Sequence, residues 1–118
     1  MAKKIFIVED ENDLMEFYID ALELSGHEIV GFAVNGLEAV EKFSKLETRP
    51  DVIIMDHRMP VKSGVEATRE ILQIDPSAKV IFASADKSIE YEARALGAVA
   101  FKTKPFSLER LLKNIDKI

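Results

Sequence analysis

The chain of 118 residues carries 16 Lys and Arg against 21 Asp and Glu, a formal net charge of −5, and is 47% hydrophobic. At roughly 100–200 residues per domain it forms one domain, residues 1–118; it has no cysteine, which excludes disulfides, a thiolate nucleophile and Cys-based metal sites, and its two histidines, His27 and His57, are too few for a His-rich one. No basic run marks a nucleic-acid binder, no apolar stretch approaches the ~20 residues of a membrane span, and no signal peptide precedes the first apolar run, so a cytoplasmic protein is expected.

Two patterns then alternate along the chain. Ile5-Phe6-Ile7-Val8 reads as a strand ending at Glu9. Leu14, Tyr18, Ala21 and Leu22 make a helical stripe closed by Gly26. Ile29-Val30 with Phe32-Ala33 reads as a second strand, and Leu37, Val40 and Phe43 as a helix started by Asn35-Gly36. Val52 to Met55 follows as a third strand, then a helix with Val65, Thr68, Ile71 and Leu72 that stops before Pro76. Val80 to Ala83 is the fourth strand, paired with a helix of Ile89, Ala93 and Leu96 ended by Gly97. Val99-Ala100-Phe101 is the fifth, followed by Leu108, Leu111, Leu112 and Ile115 behind a Ser107 cap. Continuous apolar runs point to strands covered on both faces, as in a parallel sheet. Strands alternating with helices give a doubly wound α/β domain, a three-layer sandwich with helices on both faces.

Ligands of open α/β sheets bind beyond the carboxyl ends of the strands. The residues there are Glu9-Asp10 after the first strand, Asp56 after the third, Ser84 after the fourth and Lys104-Pro105 after the fifth. Like charges at ~4 Å repel by about 1 kcal/mol per pair in water, and by more where water is excluded. Glu9, Asp10 and Asp56 with Lys104 sum to −2, a charge that one divalent cation balances. An all-oxygen set favours a hard ion, and Mg²⁺ suits few carboxylates plus water. Carboxylates also attack phosphoryl groups to form aspartyl phosphates. Asp56 is the best nucleophile candidate, with Lys104 as a point charge and the Ser84 hydroxyl as a donor to phosphoryl oxygens.

The chain closely resembles the receiver domain of two-component response regulators, in its single-domain, chemotaxis-regulator-like form. The resemblance rests on Val8-Glu9-Asp10-Glu11, Asn35-Gly36-Leu37-Glu38-Ala39, Asp51 to Asp56, Met59-Pro60 with Gly64, Ser84-Ala85, Gly97-Ala98 and Lys104-Pro105-Phe106. It implies a flavodoxin-like (βα)5 fold with strand order 2-1-3-4-5. It implies that Asp56 accepts phosphate from a histidine kinase or phosphotransfer protein. Asp10 and Asp56 would ligate Mg²⁺ directly, with Mn²⁺ as a substitute, Glu9 through water and Arg58 through its backbone carbonyl. Lys104 would hold the phosphoryl group, with a cis bond to Pro105. Ser84 would shift toward the phosphoryl while Phe101, the switch aromatic, rotates inward. That would reshape the face of the fourth helix, fifth strand and fifth helix, where a downstream protein binds. Pro60, Gly64 and Pro105 are structural in this reading, and the two histidines are expected to be structural as well. No enzyme activity beyond the domain's own phosphorylation and dephosphorylation is implied.

Departures from the receiver pattern sharpen the reading. Arg58 and Asp86 lie two residues after the phosphoacceptor and after Ser84, where side chains flank the phosphoryl group. Being oppositely charged, they are expected to pair across the mouth, hinder in-line water and prolong the phosphorylated state. Val99-Ala100 stands where receivers joined to winged-helix domains usually carry acids. That favours a stand-alone receiver, monomeric or weakly dimeric, that signals by binding. A receiver excised from a longer protein and a phosphorelay member are the open alternatives. Phe101 lacks a tyrosine's hydroxyl, so it has no hydrogen-bonded output state. Other classes fit less well. A flavin carrier would need a phosphate cradle where Glu9-Asp10-Glu11-Asn12-Asp13 repels anions. A haloacid-dehalogenase-type phosphatase would need Asp-x-Asp, and the segment is Asp56-His57-Arg58. A receiver that works without phosphorylation would not need the acid, hydroxyl and lysine set kept intact here.

Overall fold

The computed structural model describes residues 2–118. The strands are β1 (Lys4–Val8), β2 (Glu28–Ala33), β3 (Val52–Met55), β4 (Val80–Ser84) and β5 (Ala100–Thr103). The helices between and after them are α1 (Asn12–Leu24), α2 (Gly36–Lys45), α3 (Gly64–Ile74), α4 (Glu90–Leu96) and α5 (Leu108–Asp116), and a 3₁₀ turn at Lys87–Ile89 leads into α4. All strand pairs are parallel, in the order β2-β1-β3-β4-β5. This is the doubly wound sheet expected from the sequence.

The continuous apolar runs serve two cores because successive strand side chains point to opposite faces. Phe6, Val8, Ile53, Met55, Val80 and Phe82 pack with α2, α3 and α4 through Phe43, Ile71 and Ala93. Ile5, Ile7, Val52, Ile54 and Ile81 pack with α1 and α5 through Met15, Tyr18, Leu22, Leu111 and Ile115. The edge strand β2 has one more residue than its neighbour, so Val30 is skipped between the pairs Ile5–Ile29 and Phe6–Gly31. Such a bulge blunts an exposed edge against pairing with other chains.

The helix stripes read from the sequence need adjustment at several positions. In α1 the buried residues are Met15, Tyr18 and Leu22, while Leu14 and Ala21 are only half-buried. In α2, Gly36 and Ala39 are buried while Leu37 is exposed. Gly36 sets that rotation: its N–H donates to Lys62 O at 3.0 Å, and a Cβ there would stand 2.3 Å from the same oxygen. The fifth strand starts at Ala100 and runs to Thr103, leaving Val99 outside it and 43% exposed. Ile89 lies in the 3₁₀ turn, half-buried, so α4 is only 7 residues long.

The helix ends follow local chemistry. Asn35 caps α2 by accepting from Glu38 N at 2.8 Å, and Ser107 caps α5 by accepting from Arg110 N at 3.2 Å. Ser63 and Glu66 form a reciprocal capping box on α3. Gly97 ends α4 at φ +114°, a left-handed conformation that suits glycine. The start of α1 differs, because Glu11 provides no side-chain cap. That open end faces the carboxyl edge of the sheet. Among the described residues, no helix is long and apolar enough to cross a membrane.

Candidate functional site

Backbone bonds carry the sheet past its strand ends and fix the residues beyond. Glu9 N donates to Ala33 O and Asp56 N to Val8 O, both at 3.0 Å, and Lys104 N donates to Ser84 O at 2.9 Å. The side chains expected to work together therefore converge. Carboxylate oxygens of Glu9, Asp10 and Asp56 all lie within 4.8 Å of one another. Lys104 Nζ stands 2.8 Å from Glu9 Oε1 and 3.6 Å from Asp56 Oδ1. The Lys104–Pro105 bond is cis, as expected. Glu9, Asp56 and Ser84 are buried, while Asp10 is exposed at the mouth.

The nearest partner of Lys104 is thus Glu9. Burial pushes the Glu9 carboxyl up to about 7, against the pull of Lys104 and with the added repulsion of Asp56. Burial also raises Asp56, opposed by Lys104 and by the His57 N–H. That N–H donates to Asp56 Oδ1 at 2.8 Å. Tyr18, packed below, is raised by burial and by the charges of Glu9 and Asp56. Buried carboxylates crowded in this way cost free energy unless positive charge joins them. One lysine does not balance them. The donor set is entirely hard oxygen, so the site fits a small divalent cation such as Mg²⁺.

The loop after β3 closes over this site. A Cβ on Gly64 would stand 2.0 Å from Asp56 O, and Gly64 N donates to His57 O at 2.9 Å. Lys62 N donates to Pro60 O at 2.8 Å. Between them Val61 sits at φ +72°, a region that β-branched residues avoid. Nothing in the sequence of Val61 signals that strain. His27 is structural: it is buried, and its Nδ1 accepts from Lys3 N at 3.0 Å. The Nδ1 of His57 is buried without a partner.

Arg58 and Asp86 meet across the mouth, with Nη2 3.3 Å and Nε 3.4 Å from Asp86 Oδ2. Asp86 also accepts from Ser88 N at 3.0 Å and from the Ser88 hydroxyl. The Ser88 bond, then burial opposing it, then Arg58 leave its carboxyl below the usual range. Sequence reading missed Ser88, although Asp86-Lys87-Ser88 is a spacing that closes Asx turns. Phe101, the expected switch aromatic, faces inward in this conformation. It is already buried, its ring stacked on Phe82 with centroids 6.3 Å apart.

The response regulator receiver domain, as a family, matches residues 5–116. The chain belongs to that family. It is 38% identical over 120 residues to the chemotaxis protein CheY of Thermotoga maritima, covering 100% of this chain and 98% of that one. The CheY of Bacillus subtilis is 40% identical over 119 residues, covering 99% and 98%. Among solved structures, the response regulator TrrA of Thermotoga maritima in complex with Mg²⁺ and BeF superposes with a TM-score of 0.86 at 31% identity, covering 98% of this chain and 97% of that one. This receiver is therefore a CheY-like, phosphorylation-activated switch of two-component signalling.

Proposed function

We propose that Asp56 is the phosphoacceptor of this receiver. The observation that carries the reading is the convergence of Glu9, Asp10 and Lys104 on Asp56 at the carboxyl ends of β1, β3 and β5. Both donors near Asp56 reach Oδ1, and Oδ2 accepts from no N–H among the described residues. Oδ2 is then the oxygen that attacks phosphorus. The new O–P bond forms as the donor's P–N bond breaks, and the phosphohistidine imidazole leaves with that electron pair. Lys104 exchanges Glu9 for a phosphoryl oxygen, and the Ser84 hydroxyl donates to another. Asp10, Asp56 and the Arg58 carbonyl would hold Mg²⁺, or Mn²⁺ in its place, with Glu9 helping through water. When bound there, the ion would supply positive charge against the transferring oxygens. In this role the domain catalyses only its own phosphorylation and dephosphorylation.

A sensor histidine kinase or phosphotransfer protein supplies the group. An apolar groove lined by Leu14, Phe17, Tyr18, Ala85, Pro105 and Phe106 runs beside Lys104 and gives a donor helix a surface to rest on. The output face is α4, β5 and α5, where Tyr91 is 87% exposed. A receiver of the cytoplasm, monomeric or weakly dimeric, would signal by binding a downstream protein there. The domain spans residues 1–118 in this reading.

The test is intact mass after incubation with Mg²⁺ and acetyl phosphate. The wild-type protein gains one phosphoryl group, and Asp56→Asn or the omission of Mg²⁺ prevents the gain. No gain in the wild type under any condition overturns the assignment. Arg58, positioned over the mouth, hinders in-line water and lengthens the life of the phosphorylated form. Arg58→Ala therefore speeds dephosphorylation, followed by mass over time. An unchanged rate removes Arg58 from that role.

A further inference from the structure

Asp86 is bonded on three sides. Its N–H donates to Ser84 Oγ at 3.1 Å. Its Oδ1 accepts from Ser88 N and the Ser88 hydroxyl, closing the turn before α4. Its Oδ2 takes Arg58 from the loop after β3. The Asp86 side chain therefore ties the phosphoacceptor loop to the β4–α4 loop, while its backbone N–H holds Ser84 Oγ. Phe101, meanwhile, already lies inward on Phe82. The β4–α4 loop, by contrast, is held by polar bonds that a new charge at the mouth can compete with.

We infer that the Arg58–Asp86 pair is a latch on the β4–α4 loop, opened when a phosphoryl group on Asp56 draws the Arg58 guanidinium away. The inference rests on Asp56 being the phosphoacceptor. A phosphoryl group carries a charge approaching −2 and offers strong acceptor oxygens. Arg58 is two residues from it in sequence, and a guanidinium fork matches phosphate oxygens as well as a carboxylate. Asp86 is an anion at the same mouth, so the new charge repels it while attracting its partner. Once Asp86 moves, its N–H releases Ser84 Oγ, and the Ser84 hydroxyl turns to the phosphoryl. The latch is weak by construction, since the Arg58 side chain is 77% exposed. Pairs of that kind shift an equilibrium only a few-fold, which leaves the latch within reach of one added charge. Arg58 stays over the mouth after the exchange, so the same residue still obstructs water.

The experiment is amide hydrogen exchange, read by NMR at Asp86 and Ser88. Without phosphoryl, Arg58→Ala raises exchange at both amides about two- to fivefold and leaves the sheet unchanged. In the wild type, Mg²⁺ with beryllofluoride, the phosphoryl mimic used as probe, produces a similar rise. The same probe adds little in Arg58→Ala, whose latch is already open. Equal exchange in wild type and Arg58→Ala without the probe overturns the latch. So does a probe-induced rise as large in the variant as in the wild type. Intact mass with acetyl phosphate, taken on the same samples, separates the two readings. Failure to take up a phosphoryl group overturns the phosphoacceptor assignment, whereas uptake with unaltered exchange overturns the latch alone.

Discussion

The two ends of the sheet are built from the same five strands to opposite standards. At the amino ends, most of the polar groups are paired off: Lys3 N with His27 Nδ1, Lys4 N with Asp51 Oδ2 at 2.8 Å, and Lys3 Nζ with Ile118 O at 2.8 Å, with Asn114 Oδ1 near Val99 and Ala100 the exception. At the carboxyl ends, two buried carboxyl groups are raised, α1 starts without a side-chain cap, His57 Nδ1 lacks a partner and Val61 is strained. A chain selected for stability alone would have paired those groups too. The difference shows where the fold holds free energy in reserve for a cation and a phosphoryl group to release.

The most severe way to break the comparison is to remove the close approach that shapes the carboxyl end. Gly64→Ala drives a Cβ into the Asp56 carbonyl, 2.0 Å away, where backbone rather than a flexible side chain must yield. The expected loss is about 3 kcal/mol or more, measured as a lower urea midpoint. Gly31→Ala is the control. Its Cβ meets only side chains, the Phe6 ring at 3.0 Å and Leu46 at 3.8 Å, on the edge strand far from the site, and costs less. Equal losses would show that the Asp56 loop is no tighter than the edge.

A smaller effect comes from charge. The folded pKa of Glu9 is about 7 and its ordinary value is 4.5. Between these values the folded protein holds more protons than the unfolded chain, so stability falls as pH rises. Without metal, thermal midpoints are therefore lower at pH 8 than at pH 5.5. Glu9→Gln flattens that slope and stabilises the metal-free protein at pH 8 by about 1–3 kcal/mol. Adding Mg²⁺ to the wild type removes most of the pH dependence. A wild-type midpoint that rises from pH 5.5 to pH 8 in chelator would contradict the buried-charge account.

Legibility in the sequence divides along the same line. The strands, their burial on both faces and the residues after them could be read because runs such as Val52–Met55 record simple demands of a covered sheet. Glu9, Asp56, Ser84 and Lys104 could be placed because each follows a strand directly. Side-chain pairing was harder. The sequence offered Lys104 to the phosphoryl group, and its present partner Glu9 became visible only with a measured 2.8 Å. The inward rotamer of Phe101 is not legible in the sequence, because a single aromatic carries no record of it. Leu37 was assigned to the core because the contact that turns α2, Gly36 against Lys62, joins residues far apart in sequence.

Val61 is the smallest and sharpest probe of the difference between the two ends. It is 76% exposed, so replacing it removes little packing, and φ +72° costs a β-branched residue roughly 1–2 kcal/mol relative to glycine. Glycine also adds freedom to the unfolded chain, which offsets roughly 0.5–1 kcal/mol of that relief. Val61→Gly is then expected to stabilise the protein by about 0.5–1 kcal/mol, read as a higher urea midpoint with an unchanged slope. The mirror substitution is Gly26→Ala, at φ +91° with nothing within 4 Å of the added Cβ. It should destabilise by a similar amount, because there the left-handed residue is already glycine. Opposite signs at these two exposed positions place the stored strain in the loop that covers Asp56. A lower midpoint for Val61→Gly would mean that the loop holds Val61 by favourable contacts, and that the reserve at this end lies in its charges alone.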